Sequence, residues 1–390
     1  MAEKNTRVLW IDGLRGLACL AIFAHHLGCC FYPVTQFGPE AEGASATAAA
    51  LAQSPLGVLL NGNFWACVFC VIAGYVAARS HLSPPSLGLP ALHRHSGQLI
   101  NRYLRLTLPV FAVSLAVVLM MKLRLFTNAA FFDRYGIYWA ALSYTQDIYS
   151  LPSLLQESFV KLCFVGSDKF VMVLWSIRYL FYGYFVSVLL AQMSWGRSRR
   201  ILWVYLFFLL CCLAGGASLY LYACFPMGAW LALGAARGGE KHCPAASVLL
   251  ILGGLLLGGY PTYFRPTNFY RFLALGDNAA GLWHVLGAGM LVTGLSLSPG
   301  LKALLSRKPL QWLGRISFSL YLVHVPLLLS LGTGAALLLS DWGIQSYDLM
   351  SFLSGLTTLL AALLVAALFH CYVEKPCARF SRWLLRFLEA

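Results

Sequence analysis

In the stretch "LRGLACLAIFAHHL", residues 14 to 27, His26 follows Arg15 by 11 positions. At 3.6 residues per turn that interval is three turns plus about 20°, so the two side chains share one helix face, roughly 16 Å apart along the axis. His25 falls about 80° off that face. One face therefore has a guanidinium, which suits phosphate groups, and an imidazole, the usual general base near neutral pH. A second guanidinium pair, Arg102 and Arg105 in "NRYLRLTLP", is spaced three apart and so sits side by side on a helix. Arg178 lies beside Trp175, Tyr179 and Tyr182 in "LWSIRYLFYGYF". His284 in "GLWHVLGAGML", and Tyr321 and His324 in "ISFSLYLVHVPLL", complete the set.

Each of these residues also has a plainer reading. Arg15 is equally a flanking side chain reaching for the headgroups and pairing with Asp12, and Arg102 and Arg105 are equally the ordinary cationic flank of a span. A buried histidine is often satisfied by a neighbouring helix. Taken together the residues are harder to dismiss, because ionisable groups inside a span are costly and mark functional positions by default. Cations at one end and histidines deep inside describe a reaction path across a bilayer, suited to a coenzyme with an anionic head and a reactive end some 15–20 Å away by the helical rise.

The elements that must hold such a path are apolar helices. Hydrophobic residues make up 59% of the 390 and charged residues 11%, against about 25% charged in soluble domains. The chain reads as an all-α, polytopic membrane protein. With roughly 20 apolar residues per crossing, ten spans fall near 9–31, 56–78, 104–121, 171–193, 201–221, 222–236, 245–263, 279–297, 310–334 and 350–372. The ambiguous segment, 201–236, is either two tilted spans or one span with a re-entrant turn at Pro226. Cationic bias selects two. Both termini then face the cytosol, as do Arg79, Arg94, Arg197, Arg199, Arg200, Arg307, Lys308, Arg315 and Lys375, while Lys122, Arg124, Arg134, Lys161, Lys169, Arg265 and Arg271 fall outside. The net charge of +14 thus reflects topology and implies no nucleic-acid partner; the partner surface is the lipid bilayer. The 12 cysteines lie mostly inside apolar runs such as "GCCF" and "LLCCL", as small hydrophobes rather than a disulfide framework. No HExxH or paired CxxC pattern argues for a metal, and no cleavable signal peptide is evident. The outer loop of about 122–170 carries "FFDRYGIYWAALSYTQDIYS", either a cap over a substrate site or an interfacial aromatic belt.

These segments, in order, resemble the membrane-bound acyltransferase-3 family. "LWIDGLRGLACLAIFAHH" is similar to its first-helix signature, an arginine followed eleven positions later by a histidine. "FCVIAGYVAARS" resembles its glycine motif, "NRYLRLTLP" its paired-arginine motif, "LSRKPLQWLGRISFSLYLVHVPLL" its most specific segment and "YVEKPCARFSRWL" its closing one. "WHVLGA" and the segment around His324 are more similar to fungal or other eukaryotic members. The resemblance implies one acyltransferase domain over residues 1–390 with no appended soluble domain. It implies transfer of an acyl group, typically acetyl, from cytosolic acyl-CoA to a hydroxyl of a glycan, lipid or small-molecule acceptor, with no metal. It further implies Arg15, Arg102 and Arg105 as the acyl-CoA ligands and His26 as the catalytic base. Trp175, Arg178, Tyr182, His284, Tyr321 and His324 are placed along the substrate path. The expected location is multi-pass in an endomembrane or plasma membrane for a eukaryotic chain, or an inner membrane for a bacterial one. One departure stands out: the family usually has a glutamate five residues after its fourth-helix tryptophan, where this chain has Leu180. A catalytically weakened homologue is therefore one alternative. A proton-coupled transporter or flippase is the other, but the inverted repeats of that class are not evident.

Overall fold

A computed structural model describes residues 7–38, 40–41, 46–82, 89–144, 150–196, 198–216, 219–238, 242–267, 269–276 and 278–389; Lys4, Arg197 and the masked stretch of the outer loop, 145–149, lie outside them, as does the side chain of Arg94. Among these residues there are helices and turns and no strand. In a hydrocarbon slab every backbone polar group needs a partner within its own segment, and the helix supplies it. Among the described residues, ten helical segments form the bundle: α1 (Leu9–Phe31), α2 (Gly62–Arg79), α3 (Leu89–Lys122), α4 (Met172–Ser194), α5 (Leu202–Ala214), α6 (Tyr220–Ala236), α7 (Pro244–Gly258), α8 (Ala279–Ser296), α9 (Lys308–Asp341) and α10 (Tyr347–Leu388).

Seven of them are long and apolar enough to cross a membrane, and α5, α6 and α7 are shorter. At 1.5 Å per residue, the 13 residues of α5 reach about 20 Å of a 30 Å hydrocarbon core. The expected spans 201–221, 222–236 and 245–263 are therefore traversals completed by 3-10 turns and loops rather than full-length helices. Contacts place the start of α5, the end of α6 and the start of α7 at one end of the bundle. Tyr205 of α5 bonds Ser194 at the end of α4 (2.8 Å), and Arg237 after α6 returns to the carbonyl of that same Ser194 (3.4 Å). His242 before α7 meets the carbonyl of Leu297, just after α8 (2.9 Å). Two tilted passes thus occupy 201–236, with no re-entrant turn at Pro226.

The two chain ends lie at one end of the bundle, the inner end. Arg15 bonds the Gly314 carbonyl on α9, and Ser381 bonds Asn101 on α3 (2.7 Å). Between helices in lipid there is little hydrophobic drive, so association depends on small residues that let backbones approach. A Cβ on Gly314 would lie 2.0 Å from the Asp12 carbonyl oxygen, and one on Gly228 2.0 Å from that of Val71. These two contacts clamp α1 to α9 and α2 to α6. Gly228→Ala is expected to separate α2 from α6 and cost about 1–3 kcal/mol, read as a lower thermal midpoint in detergent. Gly234→Ala, on the same helix with nothing within 4 Å of its would-be Cβ, should be neutral to stabilising by up to about 1 kcal/mol.

Candidate active site

The clamp between α1 and α9 brings two histidines together. His26 on α1 and His324 on α9 have ring centroids 4.9 Å apart, and His324 Nε2 lies 3.1 Å from His26 Nδ1. The proton positions follow from the other partners. His26 Nδ1 is 2.8 Å from the Ile22 carbonyl, and a carbonyl only accepts, so Nδ1 carries the hydrogen. His324 Nδ1 faces the carbonyls of Tyr321 (2.9 Å) and Leu320 (3.1 Å), so it too is a donor and its Nε2 is left as an acceptor. His26 Nδ1–H is therefore shared between Ile22 O and His324 Nε2. The lone pair of neutral His26 is then on Nε2.

His26 lines a chamber of about 120 Å³ together with Ser176, Leu180, Phe318 and Tyr321. Trp175 and Asn63 are also in its wall, and no charged residue is among the described lining. Tyr321 donates to the Val173 carbonyl at the start of α4 and lies 2.8 Å from Ser176 Oγ, which ties α9 to α4 across the chamber. Trp139, from the outer loop, is buried with its ring 6.0 Å from that of His26. That loop thus closes over the histidine as a cap at Trp139, whereas Tyr138 beside it is exposed. His25 also reaches the chamber wall but is engaged elsewhere: its Nδ1 donates to Leu60 O (3.0 Å), and its ring packs on Gly62.

The arginines divide. Arg102 Nη2 donates to the carbonyl of Leu180 (3.1 Å), the residue whose side chain lines the chamber, and the guanidinium lies over the Tyr184 ring at 5.2 Å. Its Nε is buried without a hydrogen-bond partner. Arg105 is exposed on the same helix, so a spacing of three did not turn both side chains inward. Arg15 bonds Gly314 O (2.7 Å) and Ser317 Oγ (3.1 Å) and lies 3.7 Å from Asp12. It borders a separate inner cavity of about 360 Å³ with Arg7 and Arg79. Neither of those two stood out in the sequence, because a cation just outside a span reads as ordinary flank.

The remaining path residues are dispersed. Arg178 donates to the Val165 carbonyl (2.9 Å) and Tyr179 OH (3.1 Å), while its Nε is buried without a hydrogen-bond partner. Tyr182 is exposed and lines neither the chamber nor the cavity beyond it. His284 is fully buried, its Nε2 donating to Tyr260 O (2.8 Å), and borders an outer cavity of about 440 Å³ that Trp175 shares. Among the described residues, no group of three or more His, Cys, Asp or Glu is placed to hold a metal ion. Asn63 and Tyr263, in the walls of both the chamber and the outer cavity, were missed by sequence reasoning. Asn63 opens a span where a polar residue is a weak cue, and Tyr263 arrives from a loop that only the fold brings near.

An all-α membrane bundle with the His26–His324 pair beside a chamber, and arginines at the inner end, defines a narrow class of protein. Residues 8–373 match the family described as Acyltransferase domain, acyltransferase 3; the chain belongs to this family and is an integral, multi-pass membrane protein. It is 31% identical over 155 residues to "Acyltransferase R4" of a Phoma species, an alignment covering 37% of this chain and 32% of that protein. It is 29% identical over 140 residues to "Acyltransferase clz18" of Cochliobolus lunatus, covering 33% and 29%. The chain thus aligns with about a third of the length of these fungal relatives. No solved structure matches it.

Proposed function

We propose that the protein transfers a short acyl group, most simply acetyl, from acyl-CoA to the hydroxyl of an acceptor, with His26 as the general base. The observation that carries this reading is the His26–His324 pair, which fixes His26 as the Nδ1–H tautomer and leaves Nε2 as its basic nitrogen beside the chamber. His26 Nε2 takes the hydroxyl proton, and the oxygen attacks the thioester carbonyl. The C–S bond then breaks, and the departing thiolate receives a proton from the imidazolium. Asn63 is a neutral donor in the same wall, suited to the oxyanion that forms during attack. A chamber of about 120 Å³ favours a short acyl chain.

The donor enters from the inner end. Arg102, at the chamber's Leu180 wall, and Arg15, with Arg7 and Arg79 around the inner cavity, supply guanidiniums to the phosphates of the coenzyme, with Arg105 further out. A charge-assisted bond of this kind is worth about 1.5–3 kcal/mol. In an assay of labelled acyl-CoA with the purified protein, Arg102→Ala is expected to raise KM for acyl-CoA by about 10- to 100-fold, while kcat changes far less. A fall in kcat at constant KM would remove Arg102 from the donor site.

A further inference from the structure

The chamber does not end at His26. Asn63, Trp175 and Tyr263 line both it and the larger outer cavity of about 440 Å³, which is also lined by Leu213, Tyr220 and Leu275. These three shared residues form a neck between two volumes. The outer cavity is lined in part by Gly216, Asn278 and Thr262, in the connections at the outer end of the bundle. It is thus reached from the side away from Arg15 and Arg102. Its volume is in the range of small-molecule sites, about 300–1,000 Å³. Among the described residues lining either volume no side chain is charged. Arg265 is not in the cavity's own lining but borders an adjoining recess that shares Thr262, Tyr263, Ala279 and Ala280 with it.

We infer that the outer cavity is the acceptor site and that the acceptor is an uncharged alcohol on a mainly apolar or aromatic framework, its hydroxyl passing the Asn63–Trp175–Tyr263 neck to His26. This deepens the proposed acyl transfer and rests on it. A carboxylate or phosphate on the acceptor would be stripped of water against neutral walls, and an unpaired ion in such surroundings is expensive. A polyol has only three short polar side chains to meet there, Asn63, Thr262 and Asn278, and each hydroxyl left without a partner costs roughly 1–3 kcal/mol. Trp175, Tyr220 and Tyr263 instead offer faces to rings and hydrocarbon. Donor and acceptor then approach His26 from opposite ends, so both are bound at once and the acyl group passes directly between them.

The test uses the purified full chain in lipid nanodiscs with labelled acetyl-CoA and four probes: ethanol, 4-phenylbutanol, 8-hydroxyoctanoate and glucose. Ester formation is read by mass spectrometry. The expected result is a kcat/KM for 4-phenylbutanol at least tenfold above those for 8-hydroxyoctanoate and glucose. Ala280→Trp, which fills part of the outer cavity, should shift the ratio of 4-phenylbutanol to ethanol acylation at least tenfold towards ethanol; Thr262→Phe, at a second lining position, should shift it the same way. Preference for the hydroxy acid or glucose, no transfer to either alcohol, or a ratio unmoved in both variants overturns the inference. Acetyl-CoA cleavage by water, compared between native protein and His26→Ala in the same samples, separates the two levels. If cleavage depends on His26 while the acceptor pattern fails, only the acceptor assignment falls. If neither cleavage nor any transfer depends on His26, the acyl-transfer reading falls with it.

Discussion

His26→Ala is expected to lower acyl transfer from labelled acyl-CoA by about 10²- to 10⁴-fold, the usual contribution of a positioned general base. In barrier terms that is roughly 3–5 kcal/mol. The fold should survive, because the substitution sits mid-helix in α1, where alanine is the better helix former, and His26 is only partly buried. The informative control is its neighbour. His25 borders the same chamber, yet its ring holds the Leu60 carbonyl and packs on Gly62 at the entrance to α2. His25→Ala should therefore lower the thermal midpoint more than His26→Ala does, and slow transfer far less. Were the two variants equally slow while both remained folded, the assignment of the base to His26 would be wrong.

The sequence and the fold met most closely in α1. Helical periodicity selects His26 over His25, and the structure shows the physical difference: one imidazole ring is tied to a loop carbonyl, the other to a partner histidine with its Nε2 free of that tie. What periodicity along one helix cannot supply is the partner. His324 is 298 positions away, and it is the packing of α1 on α9, through the close approach at Gly314 and the bonds of Arg15 and Cys19 to Ser317, that joins the two helices. The same limit explains the arginines. Arg102 and Arg105 are adjacent on a helix surface, but which of them turns inward depends on α4, where Leu180 and Tyr184 receive Arg102. Ten traversals were legible from hydropathy and cation bias, whereas the shortness of α5, α6 and α7 was not. Apolar composition continues through their 3-10 turns and loops, so it does not mark where the regular helix stops. Leu180 gains meaning in the same way. In the sequence it is a departure from a family pattern; in the structure its side chain is part of a neutral chamber wall and its carbonyl holds Arg102.

His324→Ala is expected to reduce kcat by about 10- to 100-fold, the range found when a group orienting a functional imidazole is removed, with KM for acyl-CoA nearly unchanged. His324 does not line the chamber, so its effect is exerted through His26. While His26 is neutral, the Nε2 of His324 accepts its Nδ1–H and holds the ring in one tautomer. Once His26 has taken the hydroxyl proton, the same acceptor and the Ile22 carbonyl share the Nδ1–H of the imidazolium, so the charge is stabilised by groups already in place. His324→Ala leaves Ile22 O alone to do this and frees the ring to turn. A glutamine retains an amide oxygen that can accept the bond, so His324→Gln should recover part of the lost kcat, and His324→Leu should not. A role limited to packing reverses that order, because leucine suits the surrounding Phe23, Leu320 and Val323 better than an amide does. Equal kcat in the glutamine and leucine variants, or a rise in KM without a fall in kcat, would show that His324 supports the helix rather than the base.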